Sequence, residues 1–359
     1  MNILTIYGAD ERRFAEASLY PDMQLARITS QYKDMYKVIT QHGERFAEVS
    51  GNFRYKAQSA SEFPTVGDFV MTNTAEEPCD NLAIHELLSR KSLFERRAAG
   101  SKNKVQPIAA NIDTVFICMS LNGNYSLNRL ERYLAAAYGS GADPVAVLTK
   151  ADLCEDVESV QAQVKKAAPL TDVIAVSCLN GASNEAPEAY LKKGKTIAFI
   201  GSSGVGKSTL INSLAEEELM KTARIGANGK GRHTTTNRQL TVLKCGCIVI
   251  DTPGMREFGV ESAELSSAFS DIEELAGICR FSDCTHTSEP GCAVLQAIAD
   301  GSIDARRLDS YNKLKREAKY EGLNFRQLEA AKLDAMFKDK GGMKKIRQYN
   351  RRNDKRGKN

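Results

Sequence analysis

The sequence predicts a mixed architecture: a small N-terminal β-barrel, a central α/β domain with a parallel sheet, and a C-terminal helical module that holds a metal. Three observations lead to this prediction. Short β-type runs crowd into residues 25–97, apolar runs alternate with helical segments from residue 111 onward, and three cysteines cluster with one histidine in 279–292. We place the domains at residues 1–105, 106–276 and 277–359.

The N-terminal part is predicted to be all-β. Glycine and proline separate its short runs of β-branched and aromatic residues, which indicates five or so strands. Five short strands favour a small barrel of the oligonucleotide-binding (OB) type, a fold that does not by itself define a function. Aromatic and basic residues alternate at Phe53, Arg54, Tyr55 and Lys56. RNA-stacking surfaces show such an alternation, but so do ordinary strand surfaces, which we favour here.

Composition and charge exclude several classes of protein. The chain has 359 residues, 42% hydrophobic and 26% charged, which is typical of globular proteins. It contains neither an apolar run long enough for a transmembrane helix nor a secretory signal, so we expect a cytoplasmic protein with reduced cysteines. Nothing in the sequence requires an oligomer larger than a monomer.

The positive charge is concentrated at the C-terminal end. Residues 303–359 carry 18 Lys and Arg against 8 Asp and Glu, and the tail from Lys338 is expected to be disordered when free and attracted to RNA.

A phosphate-binding loop (P-loop) is the strongest single signal. Residues 201–208 fit the pattern G-x-x-x-x-G-K-[ST], follow an apolar run and precede a helical segment. Glycines let the backbone N–H groups converge on phosphates at the positive end of the helix, and Lys207 neutralises the β- and γ-phosphates. The predicted phosphate contacts are Gly201, Ser202, Ser203, Gly204, Val205, Gly206, Lys207, Ser208 and Thr209.

Two further segments favour guanine over adenine. Asp152 follows an apolar run and can accept hydrogen bonds from N1–H and the 2-amino group of guanine, a donor pair that adenine lacks. Another apolar run ends at residues 177–178, where backbone N–H groups are available to the guanine carbonyl. Both segments follow predicted parallel strands, whose carboxyl ends bind ligands. The predicted base contacts are Thr149, Lys150, Ala151, Asp152, Ser177 and Cys178.

A magnesium site and two switch segments complete the predicted nucleotide site. Ser208 and Asp251 are expected to hold Mg²⁺, and the backbone N–H of Gly254 to sense the γ-phosphate. Residues 225–237 are polar and glycine-rich, which predicts a mobile loop that nucleotide orders. One threonine of 234–236 is expected to complete the Mg²⁺ shell, and we favour Thr235.

The order of the motifs is unusual. In an ordinary Ras-like GTPase the phosphate motifs precede the guanine motif, whereas here residues 149–152 and 177–178 precede the P-loop. The domain is therefore predicted to be circularly permuted. The chain then leaves the second switch, from Asp251 to Phe258, and soon enters the C-terminal module, so loss of the γ-phosphate is expected to move that module.

These motifs, in this order, resemble the ribosome small subunit-dependent GTPase A family. The resemblance covers about residues 25–320 and rests mainly on residues 149–152, 177–178, 201–209, 231–236 and 251–259. It implies an N-terminal OB-fold, a permuted GTPase domain and a C-terminal zinc module. It also implies a role in late maturation of the small (30S) ribosomal subunit, whose binding stimulates hydrolysis of GTP.

Two residues depart from the ordinary GTPase pattern. Thr149 replaces the Asn of N-K-x-D, a replacement that this family accepts and that we expect to loosen the link to the P-loop. Met255 stands where Ras-like enzymes carry the Gln that orients water, so intrinsic hydrolysis is expected to be slow. His233 is a candidate for the missing group, with a phosphate-contacting or structural role as the alternatives, and ribosomal RNA is another source. The catalytic assignments are Lys207, His233 and Thr235.

The C-terminal part carries a predicted zinc site. Four zinc-competent side chains fall within 14 residues, and three thiolates with one imidazole fit a closed structural site without a position for catalytic water. The ligands are Cys279, Cys284, His286 and Cys292.

The leading hypothesis is a GTPase that binds the small ribosomal subunit through its barrel, zinc module and basic tail. One alternative is a P-loop enzyme that transfers phosphate to a small molecule, against which the guanine motif at 149–152 argues. The other is an RNA-binding protein that uses GTP only as a conformational switch, which Met255 keeps open.

Overall fold

The computed structural model describes residues 2–32, 35–74, 81–97, 105–122, 125–178, 185–202, 204–215, 238–251 and 268–320. The strands in these ranges are β1 (Gln24–Gln31), β2 (Tyr36–Thr40), β3 (Gly43–Val49), β4 (Phe69–Thr72), β5 (Leu82–Leu87), β6 (Leu93–Arg97), β7 (Val105–Ala110), β8 (Thr114–Ser120), β9 (Asp143–Thr149), β10 (Asp172–Val176), β11 (Thr196–Ile200), β12 (Gln239–Val242) and β13 (Ile248–Asp251). The helices are α1 (Ile3–Ile6), α2 (Glu11–Ala17), α3 (Gly51–Lys56), α4 (Leu127–Ser140), α5 (Val157–Ala167), α6 (Glu185–Glu188), α7 (Lys207–Ala215), α8 (Ser270–Gly277), α9 (Ala293–Ala299) and α10 (Ala305–Tyr320). None of these helices meets the length and hydropathy that crossing a membrane requires.

Strands β1 to β5 form the predicted barrel. β1 pairs antiparallel with both β2 and β4, β2 pairs antiparallel with β3, and β5 closes the ring by pairing parallel with β3 and antiparallel with β4. Residues of alternate strand positions fill its interior, including Ala26, Ile28, Val38, Ala47, Val70 and Ile84. Five strands closed in this order confirm the OB-type barrel.

The central sheet has the order β10-β9-β8-β11-β13, all parallel, with β12 antiparallel on β13. Apolar side chains project from both faces of this sheet. Phe116 and Phe199 pack with Leu210 of α7 on one face, while Ile117 packs with the cluster that contains Leu130 of α4 on the other. Burial of both faces explains why these strands are continuous apolar runs in the sequence. The guanine-motif strands precede the P-loop strand β11, so the predicted permutation is confirmed.

A buried arginine joins the barrel to the central sheet. Arg27 of β1 is 1% exposed, and its guanidinium donates hydrogen bonds to the carbonyl oxygens of Tyr7 (2.6 Å) and Gly67 (3.2 Å) and to Oγ1 of Thr196 (2.9 Å). Burial lowers the pKa of Arg27 to about 10, so the group remains a cation at neutral pH. The Arg27 guanidinium thus connects the N-terminal segment, the loop before β4 and the first residue of β11.

Residues 2–23 contain two helices, α1 and α2, that the sequence pattern did not predict. Leu4 and Ala9 are buried against apolar side chains on the barrel. Arg13 of α2 is also buried, and its Nη2 donates to Oδ1 of Asn111 at 2.8 Å. The segment therefore covers an apolar patch formed by Leu25, Ile39, Phe69, Met71 and Leu88.

The expectation that Phe53 to Lys56 lie on a strand was wrong. These residues lie in the short helix α3, capped by the Ser50 side chain, which accepts a hydrogen bond from the Phe53 N–H at 3.2 Å. Phe53 is buried and Tyr55 is 91% exposed. Four residues are too few to distinguish the two-residue period of a strand from the 3.6-residue period of a helix, and here the Ser50 cap favours the helix.

The helices after residue 268 are held to the central domain by a buried ionic network. Glu131 of α4 is fully buried and accepts hydrogen bonds from Arg306 and Arg307 of α10 at 3.2 Å. Asp271 of α8 also binds Arg307, through contacts of 2.7 and 2.8 Å. Burial lowers the pKa of Arg307, but the hydrogen bond to Asp271 and its charge outweigh burial and the net shift is upward. Arg307 is therefore a cation with two carboxylate partners.

We expect Glu131→Ala to destabilise the protein by about 3–5 kcal/mol, because it leaves buried guanidinium charge without one of its partners. The midpoint of urea unfolding measures the change. Glu158→Ala on the exposed start of α5 is the control and should shift the free energy of unfolding by less than about 0.5 kcal/mol. Equal shifts in the two variants would contradict a stabilising role for the network.

Candidate nucleotide site and metal centre

The P-loop connects β11 to α7 in the conformation that its glycines allow. Gly201, Gly204 and Gly206 have φ angles of 145°, 79° and 96°, which disfavour residues with a side chain. A Cβ atom at Gly201 would also collide with the carbonyl oxygen of Cys118. The ammonium of Lys207 donates to the carbonyl oxygens of Gly201 (2.7 Å) and Ser202 (2.8 Å). The positive charge is therefore held against the loop that the sequence assigns to phosphate.

The guanine motif is bonded directly to this loop. The hydroxyl of Thr149, which is buried at the end of β9, donates to the carbonyl oxygen of Val205. Lys150 adopts a left-handed φ of 57°, and its ammonium donates to the carbonyl oxygen of Gly204 at 2.9 Å. Thr149, which we expected to loosen the link to the P-loop, supplies one hydrogen bond to that loop through its hydroxyl.

The two segments predicted to bind the base meet at one edge of the sheet. β9 and β10 are parallel neighbours in which Thr149 lies opposite Val176, so the residues that follow both strands are adjacent. The Ser177 hydroxyl donates to Oδ1 of Asp152 at 2.5 Å, and the Asp152 side chain is exposed. Burial, and next the Asp152 charge, raise the pKa of the Cys178 thiol. Asp152 is thus an oriented carboxylate beside a neutral thiol.

The remaining predicted contacts are only partly covered by the structure. Ser208 and Thr209 lie in the first turn of α7, and Ala151 lies in the short 3₁₀ turn after β9. The backbone of Asp251 ends β13, whose neighbour is the P-loop strand β11. The positions outside the described residues are Ser203, His233, Thr235, Gly254 and Met255, together with the tail from Lys338.

Sequence reasoning missed one basic residue at the P-loop. Arg129 lies in the first turn of α4, and its Nη1 is 3.3 Å from the Ser202 hydroxyl. The helix follows β8, which is adjacent to β11 in the sheet. The signal that would have found Arg129 is its position at the start of a helix that follows a parallel strand, since such helices begin at the ligand-binding edge.

The four predicted metal ligands form a compact cluster. All four ligand atoms lie within 4.8 Å of one another. Sγ of Cys279 is 3.8 Å from Sγ of Cys292, and Nδ1 of His286 is 3.4 Å from Sγ of Cys292. Zinc at a Zn–S distance near 2.3 Å separates two tetrahedral sulfur ligands by about 3.8 Å. The donor set, three sulfurs and one imidazole nitrogen, is therefore compatible with tetrahedral zinc.

The local backbone explains how a short segment brings these ligands together. His286 has a left-handed φ of 57° and is 5% exposed, so its ring points inward from a sharp turn. Cys292 caps α9, where its sulfur accepts a hydrogen bond from the Leu295 N–H at 3.4 Å. Such backbone donors stabilise a thiolate, the form that binds metal.

Fold and site together define the class. A parallel sheet whose guanine motif precedes its P-loop, attached to an OB-type barrel and a Cys₃His cluster, is a circularly permuted GTPase with two accessory modules. The family model of the RsgA GTPase matches residues 87–261. The chain belongs to the RsgA GTPase family.

Individual relatives agree with this assignment. The small ribosomal subunit biogenesis GTPase RsgA 2 of Lactiplantibacillus plantarum is 48% identical over 325 residues, which cover 90% of this chain and 92% of the relative. The crystal structure of YjeQ from Thermotoga maritima has a TM-score of 0.62 at 28% identity and covers 83% of this chain and 99% of that one. YloQ, described as a circularly permuted GTPase, has a TM-score of 0.59 at 26% identity, over 84% and 97% of the two chains.

Proposed function

We propose that this protein hydrolyses GTP to GDP and phosphate during late maturation of the small (30S) ribosomal subunit, and that binding to the subunit accelerates turnover. Asp152 and Ser177 lie hydrogen-bonded at the edge of the sheet that carries the P-loop, which is the observation that carries the GTP assignment. The ribosomal part of the proposal is supported by relatives that are named small ribosomal subunit biogenesis GTPases.

The proposed chemistry follows from the loop and the two strands beside it. The N–H groups of residues 201–209 and the Lys207 ammonium bind the β- and γ-phosphates, while Asp152 accepts from guanine. Hydrogen bonds from Thr149 and Lys150 to the loop tie base binding to phosphate binding. This bonding keeps the base contacts and the phosphate contacts at a constant separation, which is what a single nucleotide requires.

GTPase family membership implies Mg²⁺ as a companion of GTP. We assign Ser208, Thr235 and Asp251 to its binding, with Gly254 at the γ-phosphate. Bound Mg²⁺ neutralises charge between the β- and γ-phosphates. His233 remains our candidate for the group that acts on the attacking water.

We further propose zinc as the resident metal of the Cys₃His cluster, where it has a structural role. We place the domains at residues 1–105, 106–276 and 277–359. We propose that the barrel, the zinc module and the basic tail bind the subunit and its rRNA. The net positive charge of 303–359 supports contact with the phosphate backbone. We infer a monomer in the cytoplasm, where small subunits are assembled.

One alternative has an observation in its favour. Met255 lacks a group that orients water, which is compatible with an RNA-binding protein that uses GTP only as a switch. That protein would bind GTP and release it unhydrolysed.

GTP turnover by the purified protein, with and without small ribosomal subunits, tests the proposal. We expect slow turnover of GTP and not ATP, a strong increase with subunits, and a loss of at least about 100-fold in Lys207→Ala, because the substitution removes the charge facing the β- and γ-phosphates. Lys244→Ala, on the turn between β12 and β13, is the control. Binding of GTP without turnover under both conditions would favour the switch alternative.

A further inference from the structure

The first turn of α4 contacts two parts of the protein that act in the proposed function. On one side, Arg129 reaches the P-loop, with Nη1 at 3.3 Å from Oγ of Ser202. On the other, Asn128 and Glu131 accept hydrogen bonds from Arg306 of the C-terminal helix α10, at 2.6 and 3.2 Å. Four consecutive residues therefore connect the phosphate loop to the C-terminal module.

The position of Arg129 suits a contact with nucleotide phosphate. Ser202 is the second residue of the P-loop, and the Lys207 ammonium lies on its carbonyl oxygen. A guanidinium presents five N–H donors in a rigid fork that matches phosphate oxygens, and it stays charged at any pH of interest. Arg129 is half-buried, so its field is less screened by solvent than that of a surface arginine.

The reaction requires such a charge. Water attacks the γ-phosphorus, the bond from that phosphorus to the β–γ bridging oxygen breaks, and the released GDP keeps the electron pair, while the two protons of the water leave with the inorganic phosphate as H₂PO₄⁻. Negative charge on the transferred group and the leaving oxygen is stabilised by cations, and an arginine supplied in cis or in trans accelerates GTP hydrolysis by 10³–10⁵ in other GTPases. A cation that does not accept or donate a proton would fill this need.

The opposite side of the turn explains how the arginine is held. Glu131 is fully buried, and both Arg306 and Arg307 bind it. Arg307 also binds Asp271 of α8, the helix that precedes the zinc ligands. Movement of the C-terminal module would therefore displace the turn that carries Arg129.

We propose that Arg129 is a phosphate-contacting arginine supplied in cis, and that the C-terminal module positions it through Asn128 and Glu131. The proposal rests on the proposed GTPase function. It adds one residue, Arg129, and a structural connection through which binding of the subunit to the C-terminal module would alter the phosphate site without involving the switch segments. Arg129 is a catalytic residue in this scheme, and Arg306 is a positioning residue.

Single-turnover hydrolysis of GTP, at saturating small subunits and without them, tests the proposal with the full chain. Affinity for fluorescent GDP is measured in parallel, because GDP lacks the γ-phosphate. We expect Arg129→Ala to lower the stimulated rate about 100-fold and to change GDP affinity less than about threefold. Arg129→Lys should lose about tenfold, since it keeps the charge but not the fork. Arg306→Ala should lower the stimulated rate about tenfold with GDP affinity unchanged.

Arg12→Ala is the matched control, because Arg12 is an exposed helix residue whose guanidinium contacts Ser89, and its rates should equal those of the wild type. An Arg129→Ala rate within threefold of the wild type would overturn the proposal. So would a loss of GDP affinity equal to the loss of rate, since that marks damage to the P-loop. If subunits fail to stimulate the wild type, the proposed function fails instead. Arg129 is then judged on basal turnover, where an unchanged rate in Arg129→Ala overturns its role.

Discussion

Asp152→Asn is expected to change the base preference of the protein from guanine to xanthine. The carboxylate accepts hydrogen bonds from N1–H and the 2-amino group of guanine, whereas an Asn side chain offers one acceptor and one donor. Xanthine has a carbonyl oxygen in place of the 2-amino group, so the Asn amide can donate to it. A site built on hydrogen bonds rejects the wrong partner by 10⁴–10⁵, and we expect the ratio of GTP to XTP affinity to fall by about 10⁴-fold.

The measurement is competition of GTP and XTP against a fluorescent nucleotide. Asp143→Asn is the matched control, because Asp143 is an exposed carboxylate at the other end of the same strand, β9. Its base preference should equal that of the wild type. The Ser177 hydroxyl orients the Asp152 carboxylate and can bind either side chain, so the substitution should not disturb the loop. Retained GTP preference in Asp152→Asn would show that the base is bound elsewhere.

Under the proposal that zinc occupies the Cys₃His cluster, removal of the metal is expected to unfold the segment from Cys279 to the end of α9. Structural zinc sites of this type contribute an apparent 10–16 kcal/mol to folding, and the segment contains only one short helix, Ala293–Ala299. In a tetrahedral zinc site the four side chains would fill all coordination positions, so a loss of structure rather than the loss of a chemical step is the expected effect.

Hydrogen exchange before and after chelation measures this effect. We expect the amides of α9 to lose protection, and protection in the parallel sheet to persist. Cys292→Ser should behave like the chelated protein, whereas Cys245→Ser, at an exposed free cysteine, should behave like the wild type. Protection of α9 that survives complete removal of metal would rule out a structural role for zinc.

The Arg27 contacts illustrate what sequence reasoning could not reach. Arg27 and Thr196 are 169 residues apart in the chain, and their hydrogen bond joins two domains. No local pattern marks an arginine within β1 as buried, since arginine is ordinarily a surface residue. Helices α1 and α2 were missed because they are 4 and 7 residues long, too short for a helical periodicity to stand out.

Three features can be read directly from the sequence: the P-loop, the guanine motif at 149–152 and the ligand set of the metal centre. Each of these depends on residue types at short, constant spacings, so the chemistry is local and visible in one dimension. Only the tertiary structure placed Arg129 on Ser202 and Arg306 on Glu131, pairs that are 73 and 175 residues apart. Packing of whole helices against the sheet decides such contacts, and many combinations of charged residues could satisfy the same local pattern.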